Sequence, residues 1–250
     1  MKFMELVLVF LTTATATLLS SMSGGGTGII IFPVLLSLGL PLPLVVATGS
    51  LNSAFWVVPA AYNYLKGRPI DWKFIIIFSL IGLAGSYLGV QLVLSIEQAF
   101  FEGILGAVIL FLVAYIYFRK DFGVSERPVY SLARQRLAYP FALLLGFYEN
   151  VFGAGNAIAF SMVTFYTKGF DFISALGHYY AIALPWCLFG AIFLIGKGYF
   201  DLSIMVAAVL GGLVGAYTGS RYARYKGNTF IKTLFVIIGG ILGFKLLLGL

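Results

Sequence analysis

The chain has 250 residues, of which 61% are hydrophobic and 10% charged, with a mean hydropathy of +1.01 and a formal net charge of +7. A soluble domain carries about 25% charged residues, so a soluble globular fold is excluded. One cysteine, Cys187, and one histidine, His178, exclude a disulfide framework and a Cys/His zinc cluster. The basic excess does not indicate a nucleic-acid partner, because the charges lie between long apolar runs rather than on one solvated face. The composition is that of a multi-pass protein of the cell membrane, with lipid as its solvent.

The first apolar region, 3–39, follows Lys2 and contains Ala14 to Ala16, which resembles a signal peptide. The same pattern recurs inside the chain, where no signal peptide could stand. Gly24, Gly25 and Gly26 break the region, and the 27–39 piece, 13 residues or ~20 Å of helix, is shorter than a ~30 Å hydrocarbon core. Runs at 43–65, 72–95 and 98–118 are each long enough to span. Residues 119–136 form a polar linker. The next region, 137–168, divides at a second glycine break into 137–152 and 154–168, and runs at 172–196, 202–220 and 229–249 complete the chain. Short helices joined by glycines predict re-entrant hairpins or interrupted spans, tolerated only where the broken backbone lines a protein cavity.

A shift of 130 residues places Gly82, Gly85, Tyr87 and Gly89 on Gly212, Gly215, Tyr217 and Gly219, and Asp71 on Asp201. With adjustments of one or two residues, Gly24 and Gly26 fall on Gly153 and Gly155, and Gly49 on Gly177. The expected architecture is an all-α polytopic membrane protein of two inverted repeats. Each repeat holds a glycine-broken, re-entrant-like helix pair followed by three transmembrane helices. The first covers 1–118 and the second 137–250, with 119–136 as a cytoplasmic linker. Gly82, Gly85, Gly89 and their counterparts allow close helix approach.

Basic residues set the orientation. Lys66, Arg68 and Lys73, the five basic residues Arg119, Lys120, Arg127, Arg134 and Arg136, and the group Arg221, Arg224 and Lys226 mark one side. The positive-inside rule makes that side cytoplasmic. Glu97 and both termini are then expected outside.

Inverted repeats with broken helices place a binding site at the midplane. Gly24, Gly25 and Gly26, with Gly153 and Gly155 opposite, are expected to expose helix-start N–H groups to an anion. Ser20, Ser23 and Thr27 in the first half, and Asn156 in the second, add neutral donors. Ser50 and Asn52 add more on the third segment, where His178 and Tyr180 are the counterparts. Helical Ser and Thr also bond to their own carbonyls, and that reading stays open. Glu149, aligned with Ser20, is a carboxylate at membrane depth, either a proton relay or a paired group in a vestibule. His178 is a proton carrier or a hydrogen-bonded structural residue. Pro59 and Pro185 kink corresponding spans. Trp56, Trp72 and Trp186 read as packing or interface anchors, and Cys187 as an inert buried thiol.

The run Ser23-Gly-Gly-Gly-Thr-Gly28, Pro33 five residues on, Ala47-Thr-Gly-Ser50, and Gly67-x-x-Ile-Asp71-Trp72 before a glycine-rich span resemble the TauE/SafE sulfite-exporter family, also called the toluenesulfonate uptake permeases. The resemblance covers nearly the whole chain. It implies a compact carrier of sulfite, thiosulfate, organosulfonates or related sulfur oxyanions. The departures are Gly153-Ala-Gly-Asn156 in place of three glycines, and His178-Tyr-Tyr180 in place of the Ser50-x-Asn52 pattern. The expected function is proton-coupled secondary transport by alternating access, without a cofactor, metal or enzymatic activity. The alternatives are an anion channel, a structural membrane subunit, or an intramembrane enzyme of the lipid-phosphate phosphatase type. The last would require clustered carboxylates and an arginine.

Overall fold

The structure, a computed structural model, describes residues 3–24, 26–93, 98–119, 121–128, 130–151, 153 and 155–248. Gly25 and Glu97, singled out above, lie outside the described residues. The helices are α1 (Phe3–Ser23), α2 (Gly28–Ser37), α3 (Leu42–Leu65), α4 (Trp72–Val93), α5 (Gln98–Phe118), α6 (Leu132–Arg136), α7 (Tyr139–Val151), α8 (Asn156–Thr167), α9 (Phe172–Gly196), α10 (Leu202–Lys226) and α11 (Asn228–Leu248). No strand occurs among the described residues. Six stretches there are long and apolar enough to cross a membrane: Phe3–Ser23, Leu42–Leu65, Trp72–Leu92, Phe172–Gly196, Leu202–Lys226 and Asn228–Lys245. The protein is an all-α, multi-pass membrane protein.

Local chemistry sets the helix ends. The carboxylates of Asp71 and Asp201 accept the N–H groups of Phe74 and Ile204, at 2.9 and 3.1 Å, so one cap opens both α4 and α10. Asp171 caps α9 through the Ser174 N–H at 2.7 Å. α10 runs six residues past the 202–220 expected from apolarity. Its last turns carry Arg224, which donates to the Asn63 carbonyl and, at 2.5 Å, to the Lys66 carbonyl.

Both broken regions fold back on themselves. Near the free ends of α7 and α8, Lys168 Nζ donates to Gln135 Oε1 at 2.9 Å and Arg134 Nε to the Tyr166 carbonyl at 2.7 Å. At the tip, Asn156 Nδ2 reaches the Leu145 carbonyl at 2.9 Å. In the other pair, Val9 of α1 shares an apolar cluster with Ile31 and Leu35 of α2. The hairpins differ in length. α1 has 21 residues and α7 has 13, ~31 and ~20 Å of helix.

Helices pair across the two halves: α1 on α10, α7 on α4, α3 on α9 and α5 on α11. Glycines make this possible. A Cβ on Gly85 or Gly89 would strike the carbonyl oxygen of Leu143 or Phe147, and one on Gly215 or Gly219 that of Ala14 or Leu18. Backbone therefore lies against backbone, with the same pair of contacts in each half. Gly82 and Gly212 differ, since they leave room for the Trp186 indole and the Asn52 amide.

The loops with the densest basic residues meet at one end of the bundle. Arg68 pairs with Asp171 at 2.8 Å and Glu126 at 3.1 Å, and Lys168 with Asp71 at 2.8 Å. Asn228 Nδ2 donates to Asp171 Oδ2 at 2.8 Å and the Val124 carbonyl at 2.9 Å. The linker, the α3–α4 loop, the α8–α9 loop and the α10–α11 junction are thus bound together.

Candidate functional site

The two breaks have the same backbone. Gly24 and Gly153 have φ of 63° and 61°, and Gly26 and Gly155 of 80° and 75°. These left-handed conformations suit glycine alone at low cost. They end α1 and α7 and start α2 and α8 within a few residues, in the interior of the bundle beside the middles of α3 and α9.

A cavity of about 60 Å³ lies where these elements meet. At roughly 10–15 Å³ per water, it holds about four to six non-hydrogen atoms. From the first break it is lined by Ser20, Gly24, Gly26, Thr27 and Gly28. α3 contributes Gly49, Ser50, Ser53 and Trp56; the second break contributes Glu149, Asn150 and Gly153; α9 contributes Tyr179, Tyr180 and Cys187. Among the described residues no lysine or arginine lines it.

Glu149 is the charged group of the cavity wall and is held by three side chains. Tyr179 Oη and Asn156 Nδ2 (2.5 Å) donate to Oε2, and the Cys187 thiol lies 3.6 Å from Oε1. Opposite charge is absent from the wall among the described residues, so donors are its means of holding an anion. The start of α2, at Thr27 and Gly28, presents the positive end of a helix. Trp56 is 6% exposed, and its indole N–H is buried with no partner among the described residues.

This chain belongs to the TauE/SafE sulfite exporter family. The family model described as "Sulfite exporter TauE/SafE" matches residues 9–246. A probable membrane transporter protein of Haemophilus influenzae is 29% identical over 247 residues, covering 96% of this chain and 94% of its own. The probable membrane transporter protein YfcA of Escherichia coli K12 is 26% identical, over 96% of this chain and 88% of its own length. YdhB of Bacillus subtilis, also described as a probable membrane transporter protein, is 23% identical over 92% and 95%. No solved structure gives a significant match. Family and fold together make this protein a membrane transporter.

The structure divides the residues singled out from the family's motifs and from the repeat. Ser20, Gly24, Gly26, Thr27, Ser50, Glu149, Gly153 and Tyr180 meet at the cavity; Ser23, Asn52, Gly155, Asn156 and His178 do not line it. Ser23 Oγ donates to the Leu19 carbonyl at 2.9 Å. Gly155 faces Ile109, and Asn156 is turned onto Leu145 and Glu149, so the start of α8 does not join that of α2 at the cavity. The expected symmetric pair of helix starts is therefore replaced by one helix start and one carboxylate. Tyr180 presents its ring, while its hydroxyl donates to the Ser20 and Ser21 carbonyls at 3.1 and 3.2 Å.

His178 is tied elsewhere. Its Nδ1 lies 2.7 Å from the Ser174 carbonyl and its Nε2 accepts the Asp71 N–H at 3.1 Å. A carbonyl can only accept and a backbone N–H can only donate, so this is a neutral imidazole protonated on Nδ1. It pins the α3–α4 loop to α9, away from the cavity. In the other direction, Trp56 and Cys187, read from sequence as packing, line the cavity, as does Tyr179. Trp56 had a signal: it stands one turn beyond Asn52 on the same face of α3.

Proposed function

We propose that the chain is a secondary active transporter of a small sulfur-containing oxyanion, such as sulfite, thiosulfate or a short organosulfonate, coupled to protons through Glu149. The observation that carries this reading is the cavity itself, which joins a helix start and an indole N–H without a partner among the described residues to a buried carboxylate in space for a few atoms. Neutral donors suit transport, because they hold an oxyanion without the depth of a lysine or arginine pair. Two like charges 4 Å apart repel by about 4 kcal/mol at an effective dielectric of 20. An anion entering beside Glu149 is therefore favoured when that carboxyl takes up a proton, and its release frees the proton. The cross-paired helices and paired hairpins support two inverted repeats that rock about the cavity, with the charge-bound end of the bundle cytoplasmic.

Uptake and counterflow in proteoliposomes, with a pH dye inside, test the reading against sulfite, thiosulfate, short sulfonates, sulfate and phosphate. The expected result is saturable movement of a sulfur oxyanion accompanied by protons. Flux of every anion at the rate of protein-free liposomes would overturn it.

A further inference from the structure

α3 carries a row of buried polar side chains that the cavity does not use up. Thr48, Asn52 and Trp56 are spaced i, i+4 and i+8, hence stacked on one face. Thr48 Oγ1, both amide atoms of Asn52 and Trp56 Nε1 have no partner among the described residues. Thr48 and Asn52 are fully buried. Such groups are ordinarily satisfied, and each exception requires an explanation. Thr13, Thr17, Thr164 and Thr167 solve the problem by donating to the carbonyl four residues back; Thr48 does not.

The row is rich in donors. Trp56 Nε1 can only donate, Asn52 Nδ2 donates, and the Thr48 hydroxyl can donate. Trp56 lines the cavity, and the other two stand behind its wall, within the stretch of α3 from Val46 to Val57 that borders it, Asn52 on the side turned to α10. Counted from Leu42, Thr48 lies ~9 Å and Asn52 ~15 Å along the helix. α10 closes the row, since Asn52 occupies the notch left by Gly212. Beyond Thr48, Val45 packs with Val9, Ile204 and Ala208. Groups left unpartnered where two helices close on each other find partners when those helices part, the movement that alternating access requires.

We propose that Thr48 and Asn52 form a second position for the same small oxyanion, behind the cavity wall between α3 and α10, that opens when α10 moves off α3, with Trp56 shared between the two positions. This rests on the reading of the cavity as an anion site. Thr48→Val and Asn52→Leu replace the polar groups with side chains of similar size. The test compares equilibrium binding of radiolabelled sulfite in detergent, sulfite uptake by right-side-out vesicles, and melting temperature.

The expected outcome is binding within about twofold of the unmodified protein, uptake from low external sulfite reduced about tenfold or more, and a melting temperature unchanged or raised, because unpartnered buried groups stabilise nothing. Uptake within twofold of the unmodified protein would show that these groups hold water only and would overturn the proposal. A parallel loss of binding and uptake would also overturn it, by assigning both residues to the cavity. If the unmodified protein neither binds nor moves sulfite while another anion of the panel is carried, that anion serves as the probe in the same comparison. If no anion is bound, the functional reading itself fails.

Discussion

The first and second glycine breaks share a backbone and differ in what they turn toward the cavity. At the first, the start of α2 faces inward, with Thr27 and Gly28 beside Ser20. At the second, Asn156 folds back on α7, and the end of α7 brings Glu149 to the wall. One backbone device used twice thus supplies donors on one side and an acid on the other. The left-handed turns occur at both breaks because the hairpin geometry requires them, whereas the side chains around them differ.

The largest effect is expected at the acid. Glu149→Gln should abolish the pH dependence of flux, since the like-charge repulsion of about 4 kcal/mol corresponds to nearly a thousandfold in binding. Ser20→Ala, at the matching position, removes a neutral group worth about 1 kcal/mol, or roughly fivefold in affinity. Proteoliposome uptake from mildly acidic to neutral pH measures both, and equal responses would erase the functional difference between the breaks.

A smaller difference is expected in stability. Alanine at either Gly24 or Gly153 carries the left-handed strain of roughly 1–2 kcal/mol. A Cβ on Gly24 would in addition lie 2.7 Å from the Ala157 Cβ and 3.3 Å from the Phe235 ring, whereas one on Gly153 would meet the Glu149 carbonyl oxygen at 3.2 Å. Gly24→Ala should therefore lower the melting temperature more than Gly153→Ala. The reverse order would mean that the first break is the looser one.

The smallest effect separates the two caps. Burial pushes the Asp71 carboxyl up, but the Lys168 ammonium and the Phe74 N–H together hold it below its usual range. Its folded value being lowered, its contribution is present above the ordinary carboxylate range near pH 4 and is lost as pH falls through the folded value. Asp71→Asn keeps a good cap and removes the charge pair, so it should cost up to about 1 kcal/mol at neutral pH and flatten the acid side of the stability profile. Asp201→Asn, at the equivalent cap, is the control, and melting curves across pH compare them. Identical profiles would show that the Lys168 pair contributes nothing.

Much of the fold was legible in the residues. The lengths of the apolar runs placed the long helices, Asp71 and Asp201 marked corresponding helix starts, and the glycine clusters marked the hairpin tips. The Gly82, Gly85 and Gly89 spacing foretold close approach, though not that Gly82 would make room for the Trp186 indole while its backbone lies against Gly146. The site was legible in part. Ser20, Thr27, Ser50 and Glu149 meet as their repeat positions suggested. Ser23, Asn156 and His178 do not, because each spends its hydrogen bonds on a carbonyl, a carboxylate or a loop that sequence spacing does not reveal.

The sequence by itself determined the membrane class, the capped starts of α4 and α10, the position of both breaks and the uneven pair Ser20 and Glu149. Each of these depends on local chemistry: apolar length against bilayer thickness, a capping carboxylate, a backbone angle open to glycine. Only the tertiary structure decided which donors reach the cavity. That depends on how each helix is rotated about its axis, which partner helices fix. Packing turned Trp56, Tyr179 and Cys187 inward, placed Asn52 behind the wall against Gly212, and left the start of α2 without a matching partner from α8.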